Sequence, residues 1–232
     1  MRKNIHLSFL LIGFFFSCKI EEDNIVSINP LKDNATKVVE VKSRTGRIWM
    51  DRNLGASQVA TSSTDALAYG DLYQWGRPAD GHQLRTSATS NALSSSDVPN
   101  NGNFIITSED WRSTQNDKLW QGLNGVNNPC PTGFRIPTKD EWQEEISSWS
   151  SKDSKGALTS PLKLPEATSR SSDGTYCNLN CGIGGTYWLS IIGDNLQFSN
   201  LKYSNVGIFK FGAAGASLSN RGTGFSIRCI KD

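Results

Sequence analysis

The sequence predicts an α+β fold: a single loop-rich domain of antiparallel strands with few short helices. Three observations predict it. Trp142, Ile146 and Trp149, at i, i+4 and i+7, form one apolar stripe with polar residues around the rest of the turn. Toward the C-terminus short stretches alternate, as where Phe225, Ile227 and Cys229 interleave with Ser226 and Arg228. Between these features lie runs rich in Ser, Thr, Asn and Gly, such as residues 77–103, which have little to bury and read as surface loop.

The chain's first segment stands apart from this domain. Met1-Arg2-Lys3 is a basic start, Ile5 to Phe16 is mostly apolar, and Ser17-Cys18 closes it with a small residue before a cysteine. This reads as a signal peptide over residues 1–17, too short for a membrane span. Its ending resembles a lipobox, so Cys18 is the expected lipidation site, and acyl chains there would tie the protein to a membrane. Residues 18–36 then read as a tether, with Glu21-Glu22-Asp23 as an acidic cluster and Asn29-Pro30 and Asp33-Asn34 as turn signals. The domain proper covers residues 37–232.

Removing the leader takes Arg2 and Lys3 from the 24 Lys and Arg, which then balance the 22 Asp and Glu. A neutral domain carries no electrostatic footprint for nucleic acid. Only His82 remains of the two histidines, so a Ser-His or Cys-His triad or a His-rich metal site would have to use it. No metal and no cofactor are expected.

Within the domain, Val38, Val39 and Val41 predict a strand, Ser43-Arg44-Thr45-Gly46 a hairpin turn, and Arg47-Ile48-Trp49-Met50 the return strand. Thr64 to Trp75 reads as a short helix or irregular segment. Phe104-Ile105-Ile106 is a short apolar piece, and Ser108 to Arg112 opens a helical turn. Thr138, followed three residues later by Glu141, forms a capping box that starts the one amphipathic helix, with Pro137 before it. Ser150 to Gly156 reads as a turn, Leu162 to Pro165 as extended chain and Ser169 to Gly174 as a loop. Strands follow at 185–190, 196–199, 206–211 and 224–230.

Four cysteines besides Cys18 form an even set in an exported chain, so disulfides are expected. Three pairings are open. Cys130–Cys229 with Cys177–Cys181 is favoured, because the second pair flanks a short Asn-Leu-Asn loop. A four-cysteine zinc site is the alternative, but the spacings lack a second short pair.

Several segments run in order along the chain: Arg47-Ile48-Trp49-Met50-Asp51-Arg52-Asn53-Leu54-Gly55-Ala56, Tyr69 to Arg77, Gly81-His82-Gln83, Cys130 to Thr138, Tyr187-Trp188-Leu189-Ser190 and Gly224 to Asp232. Together they resemble the Fibrobacter succinogenes major paralogous domain, a family of Bacteroidetes and Fibrobacteres lipoproteins. Leu189 and Ile191 replace polar residues of the family pattern, and Cys177 with Cys181 looks like a local addition. Arg135-Ile136-Pro137-Thr138-Lys139-Asp140-Glu141-Trp142 also resembles a strand-to-helix run of formylglycine-generating enzymes, whose fold is similar to C-type lectins. That likeness implies C-type-lectin-like or formylglycine-enzyme-like character and transfers no activity. The resemblances imply a lipid-anchored protein of the outer membrane, at the cell surface; the acidic cluster after Cys18 resembles a surface-export signal.

Seven tryptophans invite a sugar-stacking site. Trp142 and Trp149 lie on the helix stripe, and Trp49, Trp75 and Trp188 lie in motif segments; all five read as core. Trp111 and Trp120, in polar surroundings, are the surface candidates for ligand binding, with His82 on its loop as a third candidate whose hydrogen-bonding reading is structural. Arg135 reads as the partner of an acid. Asp51 and Asp71 lack the spacing of a calcium loop. The expected function is a non-enzymatic surface protein that binds a glycan or a protein ligand. An enzyme using carboxylates and a structural envelope component are the alternatives.

Overall fold

The computed structural model describes residues 36–177, 185–192, 206–210 and 215–232. Cys18, its leader and the tether up to residue 35 lie outside the described residues, as do Cys181 and the expected strand at 196–199. In chain order the strands are β1 (Glu40–Lys42), β2 (Ile48–Met50), β3 (Tyr73–Gln74), β4 (Thr89–Ser90), β5 (Phe104–Ile105) and β6 (Phe134–Arg135). The helices α1 (Lys139–Ser147) and α2 (Ser154–Thr159) follow. Then come β7 (Ser169–Arg170), β8 (Tyr176–Cys177), β9 (Thr186–Ile192), β10 (Val206–Lys210), β11 (Gly215–Ser219), β12 (Gly224–Phe225) and β13 (Ile230–Lys231). A single 3₁₀ turn spans Ala66–Ala68.

These strands form antiparallel sheets in the orders β1-β2-β13-β6, β3-β12-β7-β8 and β11-β10-β9, with β4-β5 as a small parallel pair. The fold is therefore α+β, mainly β, with few helices. The hairpin β1–β2 closes at Gly46, whose φ of 91° is a left-handed conformation that glycine adopts without a Cβ penalty. Helix α1 begins at the capping box: Thr138 Oγ1 accepts the Glu141 amide, and Glu141 Oε2 accepts the Thr138 amide. Arg135 donates to both carboxylate oxygens of Glu141, at 2.7 and 2.8 Å, and to Asp232. That clamp joins the start of the helix to β6 and the chain's last strand.

Consecutive strand residues point to opposite faces, and here they feed two separate cores. Trp49, Tyr187, Leu189 and Ile230 join Trp142, Ile146, Trp149, Ala157, Leu162 and Leu164 on the helix side. Their chain neighbours Met50, Trp188 and Cys229 join Trp75, Trp111, Trp120, Phe134 and Phe225 on the loop side. A disulfide between Cys130 and Cys229 ties the loop before β6 to the chain entering β13, as expected. Cys177 is also disulfide-bonded.

Four local expectations are corrected. The stretch 224–230 is not one strand: it breaks after Phe225 because Ile227 and Cys229 carbonyls turn to bond the Leu54 and Met50 amides. The turn at 150–156 gives way to α2 from Ser154, whose amide ends are held by Asp153 accepting from Gly156. The loop at 169–174 contributes β7 to a sheet. Ser108 to Arg112 makes no helical turn; Asp110 instead accepts the Arg112 amide and throws Trp111 inward.

Candidate functional site

Residues 77–103 do not lie wholly on the surface. Arg77 and His82 are 0% exposed and Gln83 is 5% exposed. They surround Gln74 of β3, which is itself fully buried. Its Nε2 donates to the Ile105 and Gly222 carbonyls, and its Oε1 accepts from the Ile105 amide and from Arg77. One side chain thereby satisfies backbone on the open edge of β5 and in the loop before β12.

His82 completes this hub rather than a reactive centre. Its Nε2 accepts the Gln74 amide at 3.0 Å, and its Nδ1 lies 2.6 Å from Asp80 Oδ1. An Asp–His pair is the start of a catalytic relay, but the nitrogen that would take a proton from a nucleophile is occupied by backbone. Burial, reinforced by the Arg77 guanidinium, holds its pKa down to about 4, so the ring is neutral at physiological pH.

Trp111 and Trp120 are corrected in the same way. They are 0% and 1% exposed and offer no face to a ligand. Backbone carbonyls receive their indole N–H groups there. The Trp111 indole donates to the Trp75 carbonyl at 2.7 Å, and the Trp120 indole donates to the Asn127 and Arg77 carbonyls. Arginines cover the rings: Arg77 sits over Trp111 and Arg221 lies 4.4 Å from the Trp75 centroid.

Two further features bear on chemistry. Asp71 is held against the Cα of Gly55, where a Cβ would lie 2.3 Å from its carboxyl carbon. Burial pushes its pKa up to about 6, against the pull of Arg85. Asp51 is bound to Arg52. Among the described residues no group of three or more His, Cys, Asp or Glu could hold a metal ion, and no helix is long and apolar enough to cross a membrane.

A concave surface lies elsewhere, on the helix side. A groove of about 540 Å³ is lined by Val59, Ala60, Thr61, Leu158, Thr159 and Lys163. One wall is the loop 58–65, which Asp65 braces by accepting from Thr61 N and Oγ1, Gln58 and the Leu67 amide. The other wall is the end of α2 and the chain after it. The Glu166 amide donates to the Ser63 carbonyl and joins the walls. Lys163 has φ 44°, a left-handed conformation that costs a non-glycine residue roughly 1–2 kcal/mol. Its neighbours Leu162 and Leu164 are both fully buried, which forces the lysine outward. None of the groove residues was a sequence candidate: no motif marks them, and the groove exists only because two segments a hundred residues apart meet.

No protein-family model, no curated protein and no solved structure matches the chain.

Proposed function

We propose that this chain is a non-catalytic binding or display domain, held at the outer-membrane surface by lipid on Cys18, and that its ligand sits in the groove between the 58–65 loop and α2. Membership of the major paralogous domain family, with C-type-lectin-like or formylglycine-enzyme-like loop architecture, is part of the same proposal. The observation that carries it is how the reactive groups are spent. His82, Arg77, Gln74, Arg135 and Glu141 are engaged in holding backbone and each other, whereas the groove residues are left facing an open concavity. The motif segments supply that scaffold, since Trp49, Asn53, Trp75, Trp188 and Arg228 in them are buried at 0–1% exposure.

An enzyme is the second reading, and Asp71 is the observation in its favour, because a carboxyl with a pKa near 6 suits proton transfer. It faces Arg85, however, and not a second acid. Screening the full chain against arrayed glycans, proteins and small amphiphiles tests the binding reading. Thr159→Trp, which fills the groove from an exposed position, is expected to abolish the retained ligand. If nothing on the arrays is retained, the binding reading fails in favour of a structural envelope component. Cys18→Ala is expected to release the protein from the membrane fraction; persistence there would show that lipidation is the wrong account.

A further inference from the structure

We infer that the groove takes a small aliphatic carboxylate, with its chain on the apolar floor and its anionic end at Lys163. This rests on the groove being the binding site.

The argument starts from what Lys163 costs. Glycine occupies a left-handed turn without strain, and the turn itself is fixed by backbone, with the Lys163 amide donating to the Ser160 carbonyl. Leu162 is locked by Arg228 donating to its carbonyl at 2.6 Å, and Leu164 by its amide bonding the Ala157 carbonyl. The lysine side chain contributes nothing to that arrangement. It is exposed, and among the described residues its ammonium makes no ion pair or hydrogen bond. A strained, unpaired cation at the mouth of a concavity has no structural return, which is the pattern of a residue kept for contact with a ligand.

The rest of the groove sets the ligand's other end. Val59, Ala60 and Leu158 present aliphatic surface, so the bound molecule carries an aliphatic body. Hydroxyl donors are few: Thr61 Oγ1 donates to Asp65 and Thr159 Oγ1 to the Lys155 carbonyl, so neither has an O–H left for a ligand. A sugar, with hydroxyls all round, would find few donors on this lining, whereas an aliphatic chain matches Val59, Ala60 and Leu158. Asp65 is the acid behind the groove wall. Its oxygens are filled by the donors of its own loop, which hold its pKa low, so it neither pairs with Lys163 nor titrates against a ligand.

Equilibrium dialysis of the full chain with octanoate, octanamide and octylamine tests this. The expected result is saturable octanoate binding at one site per chain, with octanamide about tenfold weaker and octylamine weaker still. Lys163→Gln is expected to bring octanoate down to the octanamide level, Lys163→Arg to restore it, and Thr159→Trp to abolish all three. Thermal melts of each variant confirm that the fold is intact. No saturable octanoate binding, or binding indifferent to both Lys163→Gln and Thr159→Trp, overturns the inference. If Thr159→Trp still abolishes some uncharged ligand from the arrays, the groove stands as the binding site and only the carboxylate assignment falls.

Discussion

The two faces of the central strands carry cores of different construction. On the helix side, Trp49, Trp142, Ile146, Leu162 and Leu164 meet as side chain on side chain, with Trp49 and Trp142 rings 5.0 Å apart, and the Tyr187 hydroxyl adds one bond to the Pro165 carbonyl. On the loop side, each of the four indoles also holds a backbone carbonyl. Trp75 bonds Leu189, Trp111 bonds Trp75, Trp120 bonds Asn127, and Trp188 bonds Tyr73. The first core is built for the most part under helices and strands that satisfy their own backbone, the exception being the chain at 162–165, where the Leu162 and Pro165 carbonyls take Arg228 and Tyr187. The second is built under loops that cannot, so its side chains must supply donors and acceptors. Fully buried Arg228 marks the seam between them: its guanidinium is met by Asn53 and the Met50 and Leu162 carbonyls, and burial brings its pKa down to about 10.

The largest expected break of this contrast is at the disulfide. Cys130 and Cys229 close a segment of 99 residues and sit against the loop-side core. Replacing both by alanine should lower unfolding free energy by about 4–5 kcal/mol, read by denaturant titration. The loop-side core should also lose near-UV aromatic signal before the helix-side core does.

Acid separates the two cores next. His82 belongs to the loop side, and its folded pKa of about 4 lies below the ordinary 6.5. Between about pH 6.5 and pH 4 the unfolded chain takes up a proton that the folded one refuses, so stability falls as pH falls through that window. The contribution amounts to about 3 kcal/mol. Asp71 works with the opposite sign. Its folded pKa, about 6, lies above the ordinary 3.8, so the folded state takes up the proton first and gains stability as pH falls through that range. Denaturant titrations at pH 7 and pH 4.5 should show a flatter acid loss for His82→Gln and a steeper one for Asp71→Asn.

The helix-side core was legible in the sequence. Its period of Trp142, Ile146 and Trp149 and the capping box are local signals, and both have their counterpart in the structure, whereas the alternation at 224–230 does not: Ser226 and Arg228 are buried alongside Phe225, Ile227 and Cys229. Arg135 was likewise readable as the partner of an acid. The loop-side core was legible only in part. Trp75 and Trp188 lay in recognisable segments, but Trp111 and Trp120 are surrounded by Asp, Asn, Ser and Arg, which in a sequence read as solvated surface. What lets the indoles go inside is not local: Asp110 turns the chain at Trp111, and the Trp75, Arg77 and Asn127 backbone carbonyls accept the indole N–H groups. The groove was not legible at all. It depends on Glu166 meeting Ser63 and on Leu162 and Leu164 both burying, neither of which has a local period.

The contrast between the cores rests on one claim, that the loop-side indoles hold backbone carbonyls and the Trp49 indole does not. Trp111→Phe and Trp49→Phe remove the same atoms from two fully buried sites. The first orphans the Trp75 carbonyl, while the Trp49 indole nitrogen has no hydrogen-bond partner to lose. Measured side by side by urea titration, Trp111→Phe should cost about 1–3 kcal/mol more than Trp49→Phe. Equal losses, or a larger loss at Trp49, would contradict the account.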